Sequence, residues 1–161
     1  MSQELRTMLI TRLTGDVTLY PAMVPGGIYD RPIKAGQGQG ATPAAFYVDP
    51  ADPTRLVRLR RCIYVMDGGQ TPSVNGPRNE DDGRWWDSFP QLYYYVDATP
   101  SGRAALDEID KRVRFLLHGW QARLASGKIA TFTELNITPT VDVEAFPGTL
   151  VCYRRYQAEF M

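Results

Sequence analysis

The sequence predicts an α+β fold: a mainly antiparallel or mixed β-sheet of about five strands, packed by two helices and carrying two long loops. Three observations lead there. Apolar residues at spacings of three and four mark a helix at the start of the chain and another past its middle. Five shorter stretches are β-branched, aromatic or alternating in polarity, as half-buried strands are. Two further stretches, dense in glycine, proline and polar residues, have too little apolar content for either.

In chain order, Ser2 precedes Leu5, Met8, Leu9, Ile10 and Leu13, and Gly15 follows, so residues 2–14 read as an amphipathic helix. Tyr20–Pro43 holds four prolines (Pro21, Pro25, Pro32 and Pro43) and five glycines, which excludes regular structure over most of its length and predicts an interface or binding loop with a mobile tip at Gly36–Gly40. Ala44–Val48, Arg55–Met66 and Phe89–Val96 read as strands. In the second, Val57, Leu59, Ile63 and Val65 share a parity and send Arg58 and Arg60 to the opposite face. Gly68–Gly83 reads as the second exposed loop. Thr99 caps and Pro100 opens a long helix whose apolar face runs from Leu106 to Leu124, with Gly127 as its stop. On its solvated back, Asp107–Lys111, Glu108–Arg112 and Asp110–Arg114 are acid-before-base pairs four apart. Lys128–Thr138 and Thr149–Phe160 complete the strands. In the last, Leu150, Cys152, Tyr156, Ala158 and Phe160 form the buried parity.

At 161 residues, 43% apolar and 22% charged, the chain fits one domain spanning 1–161 with a real core. Eighteen basic against eighteen acidic residues leave no net field to draw nucleic acid or an anionic membrane. Cys62 and Cys152 have no neighbouring ligands at metal spacing and read as buried, reduced thiols. The opening MSQELRTMLITRL lacks the apolar run of a signal peptide, and no stretch is apolar enough for a membrane helix, so a reducing cytoplasm is the expected place of synthesis.

Catalytic chemistry finds little support. His118, the single histidine, sits beside the apolar face of the long helix and reads as structural, since no nucleophile or ligand set accompanies it. Gly36–Gly40 lacks the strand before and helix after that a phosphate cradle needs. Glu80-Asp81-Asp82 lacks the alternating ligands of a calcium loop and reads as a solvated acidic tip. No enzyme activity, cofactor or metal is predicted. The interface candidates are Tyr29, Arg31, Arg58, Arg60, Trp85 and Trp86. Trp85 and Trp86 cannot both enter one core from a strand, so one faces outward, and the arginine row suits a solvated or intersubunit face better than a nucleic-acid face.

The layout resembles the tail terminator and tail completion proteins of long-tailed bacteriophages, the lambda-type family. The resemblance is carried by Leu5-Arg6-Thr7-Met8-Leu9 in a short opening helix, the step Gly27-Ile28-Tyr29-Asp30-Arg31-Pro32, a strand ending near Val65, the strand Leu92–Val96 followed by a helix within Ala104–Leu124, and the closing strand Tyr153–Phe160. It implies a virion structural protein of the tail or neck, assembled in the host cytoplasm. Such a protein is a homo-oligomer, a hexameric ring, that caps the tail tube. Its neighbours would be the tail tube protein and a head-completion or neck protein, and DNA would pass through its lumen without sequence-specific binding. The alternatives are a head-completion or stopper protein of the neck, and a non-viral protein-binding adaptor.

Overall fold

The computed structural model describes residues 1–36, 38–72 and 86–160, the side chains of Pro72 and Trp86 excepted. Its elements are α1 (Gln3–Thr14), a π-turn (Thr18–Met23), β1 (Ile28–Tyr29), a 3-10 turn (Pro43–Ala45), β2 (Phe46–Asp49), β3 (Asp52–Leu59), β4 (Cys62–Pro72), β5 (Trp86–Asp97), α2 (Pro100–Leu117), β6 (Gln121–Arg123), β7 (Ile129–Ile137), β8 (Val141–Asp142) and β9 (Thr149–Phe160). Among the described residues a seven-stranded sheet runs β1-β4-β5-β9-β7-β6, with β8 beside β9, while β2 and β3 form a separate hairpin. The β1–β4 pair is parallel and every other pairing is antiparallel. The α+β class with two helices on a mixed sheet is therefore observed.

Both helices lie on one face of the large sheet. The Ser2 hydroxyl accepts from the Leu5 N–H at 3.2 Å, which starts α1, and Leu5, Leu9 and Leu13 are fully buried at one turn's spacing. Each such leucine contributes roughly 2 kcal/mol of transfer free energy. Thr99 Oγ1 likewise accepts from the Gly102 N–H at 3.0 Å at the start of α2, which buries Leu106, Ile109, Val113, Leu116 and Leu117. Gly102 is required there: a Cβ would lie 1.9 Å from the Asp97 carbonyl oxygen. Against these helices stand Ile63 and Val65 of β4, Leu92, Tyr94 and Val96 of β5, Ala130 and Phe132 of β7, and Leu150, Cys152, Tyr156, Ala158 and Phe160 of β9.

A charged pair enters this core. Arg154 shares the buried parity of β9 and meets Asp110 of α2 in a two-pronged pair, Nε–Oδ1 2.5 Å and Nη2–Oδ2 2.7 Å. Glu134 of β7 approaches Arg154 Nη1 at 3.6 Å and accepts from Arg114 Nη2 at 2.8 Å. The network ties α2 to β7 and β9 by fixed geometry as well as by apolar contact.

Several expectations are corrected. Arg55–Met66 is two strands, not one: the chain breaks at Arg60–Arg61, so β3 joins the hairpin and β4 the large sheet, and Val57 is half exposed. Contacts from elsewhere in the chain hold the break. The Gly26 N–H takes the Arg61 carbonyl at 2.8 Å, and Arg61 Nε donates to Asp97 Oδ1 at 2.7 Å, which turns the backbone away from β3. The long helix ends at Leu117, because His118 is extended and Gly119 adopts φ +74°, and residues 121–123 then form β6. His118 is consequently exposed at the helix end. The stretch 20–43 takes in most of the π-turn and all of β1, and 68–72 belongs to β4; Gln37 of the Gly36–Gly40 tip and the rest of the Gly68–Gly83 expectation, with Glu80-Asp81-Asp82, lie outside the described residues. Of the three helix-surface pairs, none forms: Lys111 bonds Glu108 at 2.8 Å, Arg112 bonds Asp16 at 2.6 Å, and Arg114 and Asp110 take the partners given above. Cys62 and Cys152 are buried free thiols, pushed up to about 12 and about 11 by burial. No described helix is long and apolar enough to cross a membrane.

Candidate functional site

The face of the large sheet turned away from the helices is only partly covered. Over its Cys62–Tyr95 end sits the β2–β3 hairpin, where Ile33, Ala45, Phe46, Leu59 and Cys62 form a second small core with Tyr29, Leu56, Tyr64, Tyr95 and Phe146 packed around it. Phe46 and Phe146 meet edge to face with centroids 5.5 Å apart. The run Tyr93-Tyr94-Tyr95 divides by strand alternation: Tyr94 enters the helix-covered core, while Tyr93 and Tyr95 stand on this opposite face.

Beyond the hairpin, three tyrosines cross the sheet in register. Tyr64 of β4 pairs with Tyr93 of β5, and Tyr93 with Tyr153 of β9. Their ring centroids lie 5.7 Å and 4.8 Å apart, close enough for favourable ring contacts at both steps. Next to this ladder is an apolar hollow of about 290 Å³, lined by Tyr93, Pro139, Val141, Val151 and Tyr153. Its outer rim is β8, which pairs with β9 on one side only among the described residues, and which carries Val141 at 57% exposure beside the exposed Asp142 and Glu144.

The hairpin's outer face has the opposite charge. Tyr47 of β2 stands opposite Arg58 of β3, and the Arg58 and Arg60 guanidinium carbons lie 4.7 Å and 5.4 Å from its ring centroid. With Arg61 and Asp97 they line a cleft of about 270 Å³ against residues 22–25. Arg61 occupies Asp97, which that hydrogen bond lowers to about 2. Arg58 and Arg60 have no ion-pair partner among the described residues, and Arg60 Nε is buried without a hydrogen bond. Arg55 reaches Asp49 at 3.6 Å.

Of the six predicted interface residues, Arg58 and Arg60 come together in this cleft. Arg31 is exposed just past β1, near enough for its charge and that of Arg60 to act on Tyr29. Tyr29 itself is half-buried within the fold: its hydroxyl donates to the Gly26 carbonyl at 2.7 Å, and burial pushes its pKa up. Trp85, and the side chain of Trp86, lie outside the described residues; the Trp86 backbone pairs with Pro72. Sequence reasoning missed the tyrosine ladder and the acidic rim. Strand alternation places Tyr64 and Tyr153 on their face, but only the register brings them beside Tyr93.

No protein-family model and no curated protein matches this chain. Among solved structures, the fold is similar to that of a chain in the "Virion of native gene transfer agent (GTA) particle", with a TM-score of 0.56 at 15% sequence identity, over 94% of this chain and 90% of that one. At that identity the likeness is one of fold.

Proposed function

We propose that this chain is a non-enzymatic structural protein of a phage-type virion, one that forms a ring capping the tail tube and connects it to the head-neck. The observation that carries this reading is the fold likeness to a gene transfer agent virion chain, which extends over nearly the full length of both chains. The element layout supports the finer role, since an opening helix, a mixed sheet and a helix between β5 and the closing strand are what the tail terminator resemblance implies. A ring requires a heterologous contact, two different patches on each copy that meet around a closed axis. The basic hairpin and the apolar, acid-rimmed sheet face are two such patches. In this role the protein works by geometry: it presents one closed surface to the tube end and another to the neck.

Assembly without the chain tests the reading. Particles made in its absence should accumulate as filled heads and separate tails, and adding purified protein back should restore joining. Normal joined particles without it would refute the role. Tails that end correctly but heads that leak DNA would assign it to the head-completion side of the neck.

A further inference from the structure

We infer that the cleft between the β2–β3 hairpin and residues 22–25 is a socket for a carboxylate, the side chain of an acidic peptide segment on a partner protein, gripped by Arg58 and Arg60. The inference stands apart from the ring reading, because it names what the cleft takes whatever the number of copies.

The cations are held in place before any partner arrives. Tyr47 stands opposite Arg58 in the hairpin register, and its ring orders the guanidinium groups of Arg58 and Arg60 without neutralising them, their carbons 4.7 Å and 5.4 Å from its centroid. The Arg60 N–H donates to the Ala45 carbonyl at 2.7 Å, which carries the ladder one residue past β3. Behind it Gly26 packs so closely that a Cβ there would lie 2.9 Å from the Arg60 Cβ. Two like charges are thus pinned at one ring, and no described acid neutralises them. Asp97, the acid lining the cleft, is taken by Arg61 at 2.7 Å and by the Thr99 hydroxyl. The Arg60 Nε is buried with no acceptor, which costs free energy until one is supplied. The acids of the β8–β9 stretch do not supply it: Phe146 packs on Phe46, whose buried side chain lies on the face of β2 opposite the exposed Tyr47, and neither Asp142 nor Glu144 forms an ion pair with these arginines.

The chemistry of the acceptor follows from the donors and the walls. A guanidinium presents a planar fork that a carboxylate matches with two parallel hydrogen bonds. Ala22, Met23, Pro25 and Leu59 complete a cleft of about 270 Å³, room for one acidic side chain and its apolar stem. A nucleic-acid backbone is the poorer fit. Polyanions are held by runs of cations, whereas here Asp49 and Asp52 face each other at the tip of the same hairpin and Arg55 is taken by Asp49 at 3.6 Å. The chain as a whole has no net charge to draw a polyanion in.

Fluorescence anisotropy on the full chain tests this, the probe being a labelled, end-blocked peptide of alternating glutamate and leucine. At low salt the peptide should bind saturably and its glutamine counterpart should not. Arg58→Gln with Arg60→Gln should weaken binding by about tenfold or more, the loss expected with a charge-assisted hydrogen bond. Arg58→Lys with Arg60→Lys keeps the charge but not the fork, and should recover only part of it. The glutamine variant removes two unneutralised like charges and should keep the wild-type urea midpoint, which separates lost binding from lost folding. If it unfolds early, the exposed Arg58→Gln alone should still weaken binding. Peptide binding that is absent, or equal in the wild type and a folded variant, would overturn the inference. So would a short duplex DNA that displaces the peptide and itself binds the variant less well, since the cleft would then be a phosphate site. None of these readouts depends on assembly: the socket can fail with the ring intact, and a wild type that light scattering finds monomeric would remove the ring and leave the socket.

Discussion

Replacing Asp110 with alanine removes the carboxylate that holds Arg154 inside the core. Both residues are 8% exposed, so the guanidinium left behind cannot recover bulk hydration, and its nearest remaining carboxylate oxygen, Oε2 of Glu134, lies 3.6 Å from Nη1. Removing one member of a buried pair costs about 3–5 kcal/mol, and the retained Glu134 places the expected loss near the lower end, about 3 kcal/mol. For a chain of this length that is a fall of about 6–12 °C in midpoint temperature. The assay is urea unfolding at fixed protein concentration, where the midpoint should fall with an unchanged slope. Replacing both partners by apolar residues, Asp110→Leu with Arg154→Met, should recover most of the loss, because the stranded charge is gone. An Asp110→Ala variant within about 0.5 kcal/mol of the wild type, the usual range for ordinary surface changes, would show that the pair does not tie α2 to the sheet.

Three further outcomes follow from the same geometry. Gly102→Ala should destabilise by about 3 kcal/mol, since its Cβ would sit 1.9 Å from the Asp97 carbonyl oxygen and the first turn of α2 has to move; a midpoint within error of the wild type would contradict the close approach. Arg61 first, and the Thr99 hydroxyl after it, lower Asp97 from 3.8 to about 2, so the stability it contributes is complete above the ordinary carboxylate value and is lost as pH falls through about 2. Asp97→Asn should therefore flatten the stability profile between about pH 4 and pH 2, and an unchanged acid limb measured by urea unfolding would argue against the ion pair. A double-mutant cycle on Tyr93 and Tyr153, whose centroids are 4.8 Å apart, should return a coupling of about 1 kcal/mol, and zero coupling would remove the ladder as a stabilising feature.

Much of this fold was legible because local signals agreed with the tertiary outcome. Ser2 and Thr99 cap their helices as their side-chain oxygens predict, and the alternation along Thr149–Phe160 names the buried face of β9. Reading failed where long-range contacts decided. Arg60 and Arg61 are ordinary strand residues, and only Gly26 and Asp97, distant in sequence, separate β3 from β4. Trp120 and Leu124 keep helical spacing by coincidence after Gly119 has already turned the chain, and Trp120 stacks instead on Phe132 at 5.0 Å. Two of the expected i,i+4 pairs lost to partners on other elements, because Asp16, Glu134 and Arg154 offer two-pronged geometry that exposed helix neighbours do not, while Lys111 takes Glu108, three residues back on α2 itself. At the candidate site, alternation set Arg58 outward as observed, whereas Arg60 lies past the end of β3 with its Nε buried, and Tyr47 beside them, the tyrosine ladder and the acidic rim depend on register between strands.

The most direct measurement is the solution mass of the purified chain by light scattering across a concentration series. A ring of six 18.1-kDa chains weighs about 109 kDa, and a mass that settles at one such closed multiple and stays there on dilution is the predicted result. A mass of one chain at every concentration, or one that climbs without limit, would contradict a closed ring.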